Sequence, residues 1–133
     1  MDLAQWDGKY ETGFLAVDTQ HKHLFSLVNG LHDALIAGAG KEGLGSTIGE
    51  FEKYTVEHFR TEEQLMVRTG YPRFKEHMLK HREMQDQVRQ LVSDFEAGRI
   101  TLQLTLARFL VDWIRHHIDE EDRAMADWLK GRA

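Results

Sequence analysis

Apolar residues recur at the i, i+3, i+4 and i+7 spacing of an amphipathic α-helix in four long segments of the chain. These segments cover about residues 19–37, 41–69, 72–97 and 101–130, and glycine-containing stretches at 37–43, 68–72 and 96–99 separate them. Asp18 is expected to cap the first helix, Pro72 to open the third and Gly98 to end it. No alternation typical of β-strands competes with this pattern, so the sequence predicts an all-α protein.

The connections between the four segments are short, which favours antiparallel neighbours. We therefore expect an up-down-up-down four-helix bundle that forms a single domain over residues 1–133. Residues 1–17 precede the first helix as an N-terminal arm. The aromatic side chains of this arm, Trp6, Tyr10 and Phe14, are expected to pack across the bundle.

Ionisable side chains interrupt the apolar face of each helix. On a helical wheel the inward-facing groups are His21 in the first helix, His58 and Glu62 in the second, His77 and His81 in the third, and His117 at the edge of the fourth. Burying such groups unpaired costs several kcal/mol. A single inward histidine is more often a hydrogen-bonded core residue than a ligand, so the interpretation depends on the whole set.

Positions along the sequence give an independent test of whether these groups meet. In an antiparallel bundle, groups at equal height lie equally far from the turn between them. The midpoint between His21 and the pair in the second helix falls near Gly40, the next midpoint near Gly70, and the third near Gly98 and Arg99. All three midpoints coincide with the turns marked by glycine and proline, which predicts one cluster at a single level of the core.

Three other histidines are not part of the predicted cluster. His32 also faces inward, but it lies about 16 Å along the helix from His21 and is expected to be a core or supporting residue. His23 and His116 face solvent on the wheel, and no function is predicted for them.

Composition restricts both the chemistry of the cluster and the setting of the protein. The chain has eight histidines and no cysteine, which excludes disulfides, thiolate ligands and iron–sulfur clusters. A net charge of -5 without a basic block gives no support for binding to nucleic acid or to an anionic membrane. No apolar run approaches the roughly 20 residues of a membrane span, and the first residues lack the features of a secretory signal. We therefore expect a cytoplasmic protein.

The ligand types in the cluster favour a pair of metal ions. Five imidazoles and at least two carboxylates exceed the four ligands that one zinc ion usually takes. Imidazole nitrogens combined with carboxylates that are able to bridge suit two iron ions. Helical bundles are known hosts for dimetal carboxylate sites, with ligands that project inward from facing helices.

Four stretches of the sequence resemble hallmark segments of the hemerythrin family in its bacterial form. They are DTQHKHLF at 18–25, HFRTEEQLM at 58–66, YPRFKEHMLKH at 71–81 and HIDEED at 117–122, and the resemblance extends from Trp6 to about Trp128. It implies a non-haem di-iron centre with an oxo or hydroxo bridge. The implied ligands are His77, His81 and His117 for one iron, His21 and His58 for the other, and Glu62 and Asp122 as carboxylates that bridge the two.

One implied ligand does not follow from the helical wheel. His117 and Asp122 are five residues apart, and Glu121 lies nearer the middle of the inner face of a straight helix. The wheel alone therefore ranks Glu121 slightly ahead, whereas the family pattern selects Asp122. A local widening of the helical turn would allow Asp122 to reach inward.

The resemblance and the helical wheels together predict a pocket beside the two-histidine iron, lined by Leu24, Phe59, Trp113, Ile114 and Ile118. The implied function is reversible binding of dioxygen by a carrier, store or local supplier and not catalysis. The alternatives are a di-iron oxidase, peroxidase or ferroxidase, an oxygen or redox sensor that acts on a partner in trans, and a metal scavenger. Dioxygen and an oxygen-consuming client protein are the expected partners. Charged outer faces favour a monomer, with outward-facing Leu79 as the one contrary feature.

Overall fold

The chain folds into a helical bundle, and the computed structural model describes residues 3–131. The main helices are α1 (Leu15–Ile36), α2 (Lys41–Thr69), α3 (Phe74–Glu96), α4 (Leu104–His117) and α5 (Arg123–Lys130). A π-helical segment, Ile118–Asp122, joins α4 to α5, so these three pieces form the fourth rod of the bundle. α2 packs against both α1 and α3, and α4 packs against α1. The predicted all-α four-helix bundle is confirmed, and residues 3–131 contain no β-strand.

The turns lie where glycine predicts them. Gly70 follows α2 with φ +73°, and Gly98 follows the end of α3 with φ +76°. This left-handed conformation is strained for residues with a Cβ atom, which explains why glycine ends both helices. None of the helices in residues 3–131 combines the length and the apolar character that crossing a membrane requires.

Three helix starts differ from the prediction. α1 begins at Leu15, one turn before Thr19, and its N-cap residue is Phe14. Asp18 is therefore not the cap; its carboxylate lies within the helix and accepts hydrogen bonds from the backbone N–H and the hydroxyl of Thr12, both at 2.8 Å. Because this carboxylate binds the end of the arm, the helix extends further back than its apolar pattern indicates.

The starts of the third and fourth rods lie later than predicted. Pro72 belongs to the turn after α2, and α3 begins at Phe74. α4 begins at Leu104, after residues that include Gln103 in an extended conformation. Leu102 is only 8% exposed, so this extended segment already contributes an apolar side chain to the core before the helix begins.

Two apolar clusters fill the interior. The larger includes Phe51 and Phe59 of α2, and the smaller comprises Met66, Tyr71, Met125 and Leu129. Glu62 lies between Phe59 and Met66 along α2, so the ionisable level of the bundle is enclosed by apolar side chains on both sides. A low-dielectric setting of this kind strengthens electrostatic interactions and makes unpaired charge costly.

The N-terminal arm is bound to the bundle through its backbone. Ala4 exchanges two hydrogen bonds of 2.7 Å with the side chain of Asn29 in α1. Arg123 donates to the carbonyl oxygens of Lys9 and Glu11 at 2.6 and 2.8 Å. The arm therefore links α1 to the start of α5, directly beside the π-helical segment.

Candidate metal centre

The bundle brings one set of histidines and carboxylates together from all four rods. Its members are His21 from α1, His58 and Glu62 from α2, His77 and His81 from α3, His117 at the end of α4, and Asp122 at the end of the π-helical segment. Each is at most 3% exposed. The cluster expected from the sequence midpoints is present at one level of the core.

The ligand atoms form two groups that share the two carboxylates. The three-histidine group contains His77, His81 and His117, and the two-histidine group contains His21 and His58; each group also includes Glu62 and Asp122. Within each group, the possible ligand atoms lie within 4.8 Å of one another.

The two oxygens of Glu62 point to different groups. Oε2 lies 3.1 Å from His58 Nε2 and 3.3 Å from His21 Nε2 on the two-histidine side. Oε1 lies 3.0 Å from His81 Nε2 on the three-histidine side. This is the orientation that a carboxylate needs in order to bridge two cations.

The two oxygens of Asp122 also point to different histidine groups. Its Oδ2 lies 2.8 Å from His21 Nε2, whereas its Oδ1 lies 2.9 Å from His77 Nε2 and 3.1 Å from His117 Nε2. Two carboxylates from different rods are thus arranged in the same bridging sense.

Several of these atoms are close to a partner yet make no hydrogen bond with any described residue. They are both carboxylate oxygens of Glu62 and of Asp122 and the Nε2 atoms of His21, His58 and His77. Buried polar atoms are normally hydrogen-bonded. Short distances with unsuitable hydrogen-bond directions indicate that the atoms converge on shared points, and this is the arrangement that fits bound cations.

Most of the outer ring nitrogens do have partners. His81 Nδ1 lies 2.9 Å from Glu63 Oε2, and His58 Nδ1 lies 2.7 Å from Gln20 Oε1. Gln20 is itself oriented, because its amide nitrogen donates to the Thr61 hydroxyl at 3.1 Å. Outer partners of this kind fix the ring tautomer and direct Nε2 toward the metal.

Charge compensation shifts the protonation equilibria of the cluster. Burial alone lowers the pKa of His21, but the adjacent negative carboxylates of Asp122 and Glu62 outweigh burial and raise the pKa to about 9. His77 follows the same balance, and its pKa also rises to about 9. Burial raises the pKa of Glu62, but the surrounding imidazoles outweigh it and hold the pKa well below its usual range. The pKa of Asp122 is likewise well below its usual range, so both carboxylates are ionised at neutral pH.

An apolar void lies beside the two-histidine group. Its volume is about 10 Å³, roughly what a single water molecule requires. Both histidines of that group line it together with His117. The remaining lining residues are Leu24, Phe51, Thr55, Phe59, Met84, Trp113 and Ile114.

A polar pocket lies on the opposite, three-histidine side. It has a volume of about 260 Å³ and reaches His77 and Glu121, which is 3.3 Å from His117 Nδ1. Its other lining residues are Tyr71, Arg73, Glu76, Lys80, Glu120 and Ala124. The two sides of the centre therefore face spaces of different polarity.

Residues 12–129 match the sequence profile of the hemerythrin HHE cation binding domain. The chain belongs to the hemerythrin family. Bacteriohemerythrin of Methylococcus capsulatus is 32% identical over 124 residues, which cover 92% of this chain and 94% of that protein. Bacteriohemerythrin of Stenotrophomonas maltophilia is 32% identical over 130 residues, which cover 98% and 84%. A crystal structure of wild-type hemerythrin superposes with a TM-score of 0.90 at 30% identity, over 94% of this chain and 96% of that one. The resemblance to the family is thereby confirmed.

The π-helical segment turns Asp122 into the buried cluster. The wheel ranking of Glu121 over Asp122 is wrong for the inner position, because the wheel assumes a regular α-helix. Asp122 is fully buried and faces the cluster, whereas Glu121 lies behind His117 at its Nδ1 atom. The predicted local widening of the turn is present.

Most of the residues that the sequence predicts for a pocket line the apolar void. Four of the five expected residues line the void; Ile118 does not line it, but is buried in the large apolar cluster. Three further residues that the sequence pattern does not assign to a pocket also line the void: Phe51, Thr55 and Met84. Each is buried in its helix, but a helical wheel gives no information about which core residues border a void.

The remaining histidines lie outside the cluster. His32 is partly buried, and its Nδ1 is 4.0 Å from Asp33 Oδ1. His23 is exposed and its ring centre lies 4.2 Å from that of Tyr54, while His116 is 3.3 Å from Glu120 on the surface.

Proposed function

We propose that this member of the hemerythrin family holds two non-haem iron ions, with an oxo or hydroxo bridge, and binds dioxygen reversibly as a carrier, store or local supplier. The observation that carries the proposal is the apolar void, which adjoins the ligand group with fewer histidines. A small apolar molecule therefore has room at the side of the centre where the protein provides fewer ligands.

The ligand sets support the asymmetry of such a centre. His77, His81 and His117 would hold one iron and His21 and His58 the other, and Glu62 and Asp122 would bind both through separate oxygens. A bound iron pair would supply two electrons to dioxygen and recover them on release. The protein residues hold the ligands in place, keep the carboxylates ionised and exclude bulk water.

The lining of the void supports reversible binding over bond cleavage. Apart from the three histidines that face the centre, its described lining residues are apolar except Thr55. The Thr55 hydroxyl donates its proton to the Phe51 carbonyl at 2.7 Å, so this proton is already engaged. A site with few proton donors disfavours cleavage of the O–O bond.

The polar pocket beside His77 is the observation that favours the main alternative, a di-iron redox enzyme. Charged side chains of this pocket would deliver protons to the outer side of the three-histidine group. An oxidase, peroxidase or ferroxidase would need such a supply. The expected absence of enzymatic activity, the monomeric state, the cytoplasmic location and the client protein all remain predictions.

Cycling of oxygen tests the proposal directly. Iron-loaded protein is reduced without air, exposed to dioxygen and then evacuated, while its visible spectrum is followed and its iron content is measured. We expect the colourless ferrous state to return after each cycle, and zinc-loaded protein to show no spectral change. Rapid and irreversible oxidation with release of superoxide or peroxide would contradict carriage and favour the enzyme.

A further inference from the structure

A groove on the surface of the bundle lies close to the apolar void. This outer groove has a volume of about 550 Å³ and is lined by residues of α2 and α3. Lys53, Glu57, Arg60 and Arg89 contribute charged groups to it, and Val88 contributes an apolar one. The groove is therefore open to water, whereas the void is apolar and buried in the bundle.

Thr55 lines both the outer groove and the void. In the described part of the chain, no other residue lines both of these spaces. The side chain is only 3% exposed, so at this point it forms a closed wall between the groove and the void.

The chemistry of Thr55 suits such a wall. Its hydroxyl donates to the Phe51 carbonyl one turn earlier, which fixes the side chain and satisfies its polar atom. A β-branched side chain has few rotamers, so the wall is stiff on the α2 side.

α3 borders the same two spaces at positions one helical turn apart. Met84 lines the void, and Val88, four residues later, lines the groove. Methionine is unbranched and adapts its shape readily. The α3 side of the boundary between the groove and the void is therefore able to move aside while Thr55 stays fixed.

The polar pocket offers no comparable connection. It shares no described lining residue with the void, and it reaches the centre at His77 and Glu121 on the three-histidine side. An apolar molecule that used it would have to pass between the ligands themselves.

We propose that dioxygen enters and leaves the void between α2 and α3, past Thr55, which controls the rate of passage. The assignment of dioxygen rests on the proposed function, whereas the passage itself is a property of the fold that any small apolar molecule would use. Charged groups in the outer groove do not hinder a neutral molecule.

A gate has a distinct kinetic signature. Because entry and exit cross the same barrier, a change at Thr55 alters the association and dissociation rate constants in the same direction. Since Thr55 also borders the void, any shift in the dissociation constant should be much smaller than the change in either rate constant. For Thr55→Ala we expect both rates to rise about tenfold, which corresponds to roughly 1.4 kcal/mol of barrier. Thr55→Val keeps the shape of the wall and should stay within about twofold of the wild type, whereas Thr55→Ile should slow both rates.

Stopped-flow mixing of the reduced, iron-loaded protein with dioxygen, and trapping of released dioxygen, measure the two rates. Thr47→Ala is the matched control, because Thr47 also lies in α2 and donates to the carbonyl four residues earlier, at 2.9 Å, but lines neither space. This control should leave both rates unchanged. Unaltered rates in Thr55→Ala, or a changed dissociation constant with only one altered rate, would contradict the proposal that Thr55 controls the passage.

Entry of dioxygen into zinc-loaded protein separates this proposal from the proposed function, since zinc undergoes no redox reaction with it. Dioxygen is paramagnetic, so NMR relaxation at the methyl groups of Leu24 and Ile114, which line the void, reports its access. Greater access in Thr55→Ala and reduced access in Thr55→Ile support the passage even if the iron form oxidises irreversibly. Equal relaxation in all variants, or failure of dioxygen to affect these methyl groups in Thr55→Ala, refutes it even if oxygen binding by the iron form is reversible.

Discussion

The two sides of the metal centre use the same types of ligand but differ in what surrounds those ligands. On the three-histidine side, His81 is backed by Glu63 and His117 by Glu121, at 2.9 and 3.3 Å. Carboxylate partners make an imidazole a stronger ligand. The neighbouring space, the polar pocket at His77, is open to charged groups.

On the two-histidine side, His58 is backed by the neutral amide of Gln20 at 2.7 Å. Each side also has one histidine, His21 or His77, whose outer nitrogen makes no hydrogen bond with a described residue. The space next to the two-histidine side is the apolar void. The asymmetry between the two sides therefore extends beyond the number of histidines. One side places charged partners behind two of its histidines, and the other borders an apolar void.

The largest change should come from Glu62, because its two oxygens serve both sides. Glu62→Ala removes a bridging carboxylate and a negative charge from each ligand group. We expect binding of both metal ions to be lost at metal concentrations that saturate the wild type, as measured by metal analysis after gel filtration. Glu50→Ala, at an exposed position of the same helix, is the control. Full loading of Glu62→Ala would show that the carboxylate does not bridge.

Asp122 should have the next largest effect. Asp122→Ala removes the second shared carboxylate, and the site should lose one metal ion, from the two-histidine side that has fewer other ligands. Glu121→Ala is the matched comparison, since Glu121 only supports His117 from behind, and this variant should retain both ions with weaker affinity. Loading of both iron ions in Asp122→Ala would refute the assignment, and loss of an ion from Glu121→Ala alone would restore the ranking of the helical wheel.

Protonation should produce a smaller effect that depends on pH. In metal-free protein the pKa of His21 and of His77 is about 9, above the value of about 6.5 expected for an unfolded chain. Their stabilising contribution is therefore fully present below pH 6.5 and is lost as the pH rises through about 9. The shift corresponds to an upper limit on the order of 3 kcal/mol for each group.

Urea denaturation measures this dependence when it is repeated from pH 6 to pH 10 in steps of about one pH unit. The free energy of unfolding of the metal-free protein should fall over that range. Burial lowers the pKa of His117, but Asp122 outweighs burial and raises this pKa well above its usual value too. Metal binding near pH 7.5 should therefore release roughly three protons, from His21, His77 and His117, because the ligand imidazoles must be neutral. His116→Asn, at an exposed histidine outside the cluster, is the control variant. A flat profile in the metal-free wild type would contradict the raised pKa values.

The sequence determines much of the bundle because it contains two independent signals, one periodic and one set by the positions of the turns. Helical periodicity predicts which side chains face inward, and distances from the glycine turns predict their height. Helix starts are less well determined. Asp18 illustrates the reason, because the same residue type that caps a helix is also able to bind the preceding arm from within the first turn.

The candidate centre was predictable as a set of residues but not in its finer geometry. The wheel assumes a regular helix, so it misplaces Asp122, which the π-helical segment turns inward. Glu63 and Gln20 are polar residues next to inward-facing ones, and no pattern distinguishes them from solvent-facing neighbours. The borders of the void depend on how side chains from different helices meet, which a single-helix projection does not contain.

The smallest predicted effect tests the difference between the two sides most directly. Glu63→Gln replaces the carboxylate behind His81 by an amide, and we expect the affinity of the three-histidine group for metal to fall by about 10-fold to 100-fold. Gln20→Glu makes the opposite change behind His58 and should strengthen the two-histidine group, although it loses the donor to Thr61. Competition with a chelator for cobalt(II), followed by the absorption of each site, measures both affinities, and the double exchange should bring the two sites closer together. Equal effects of each single variant on both sites would mean that the outer partners stabilise the bundle as a whole and do not distinguish its two metal positions.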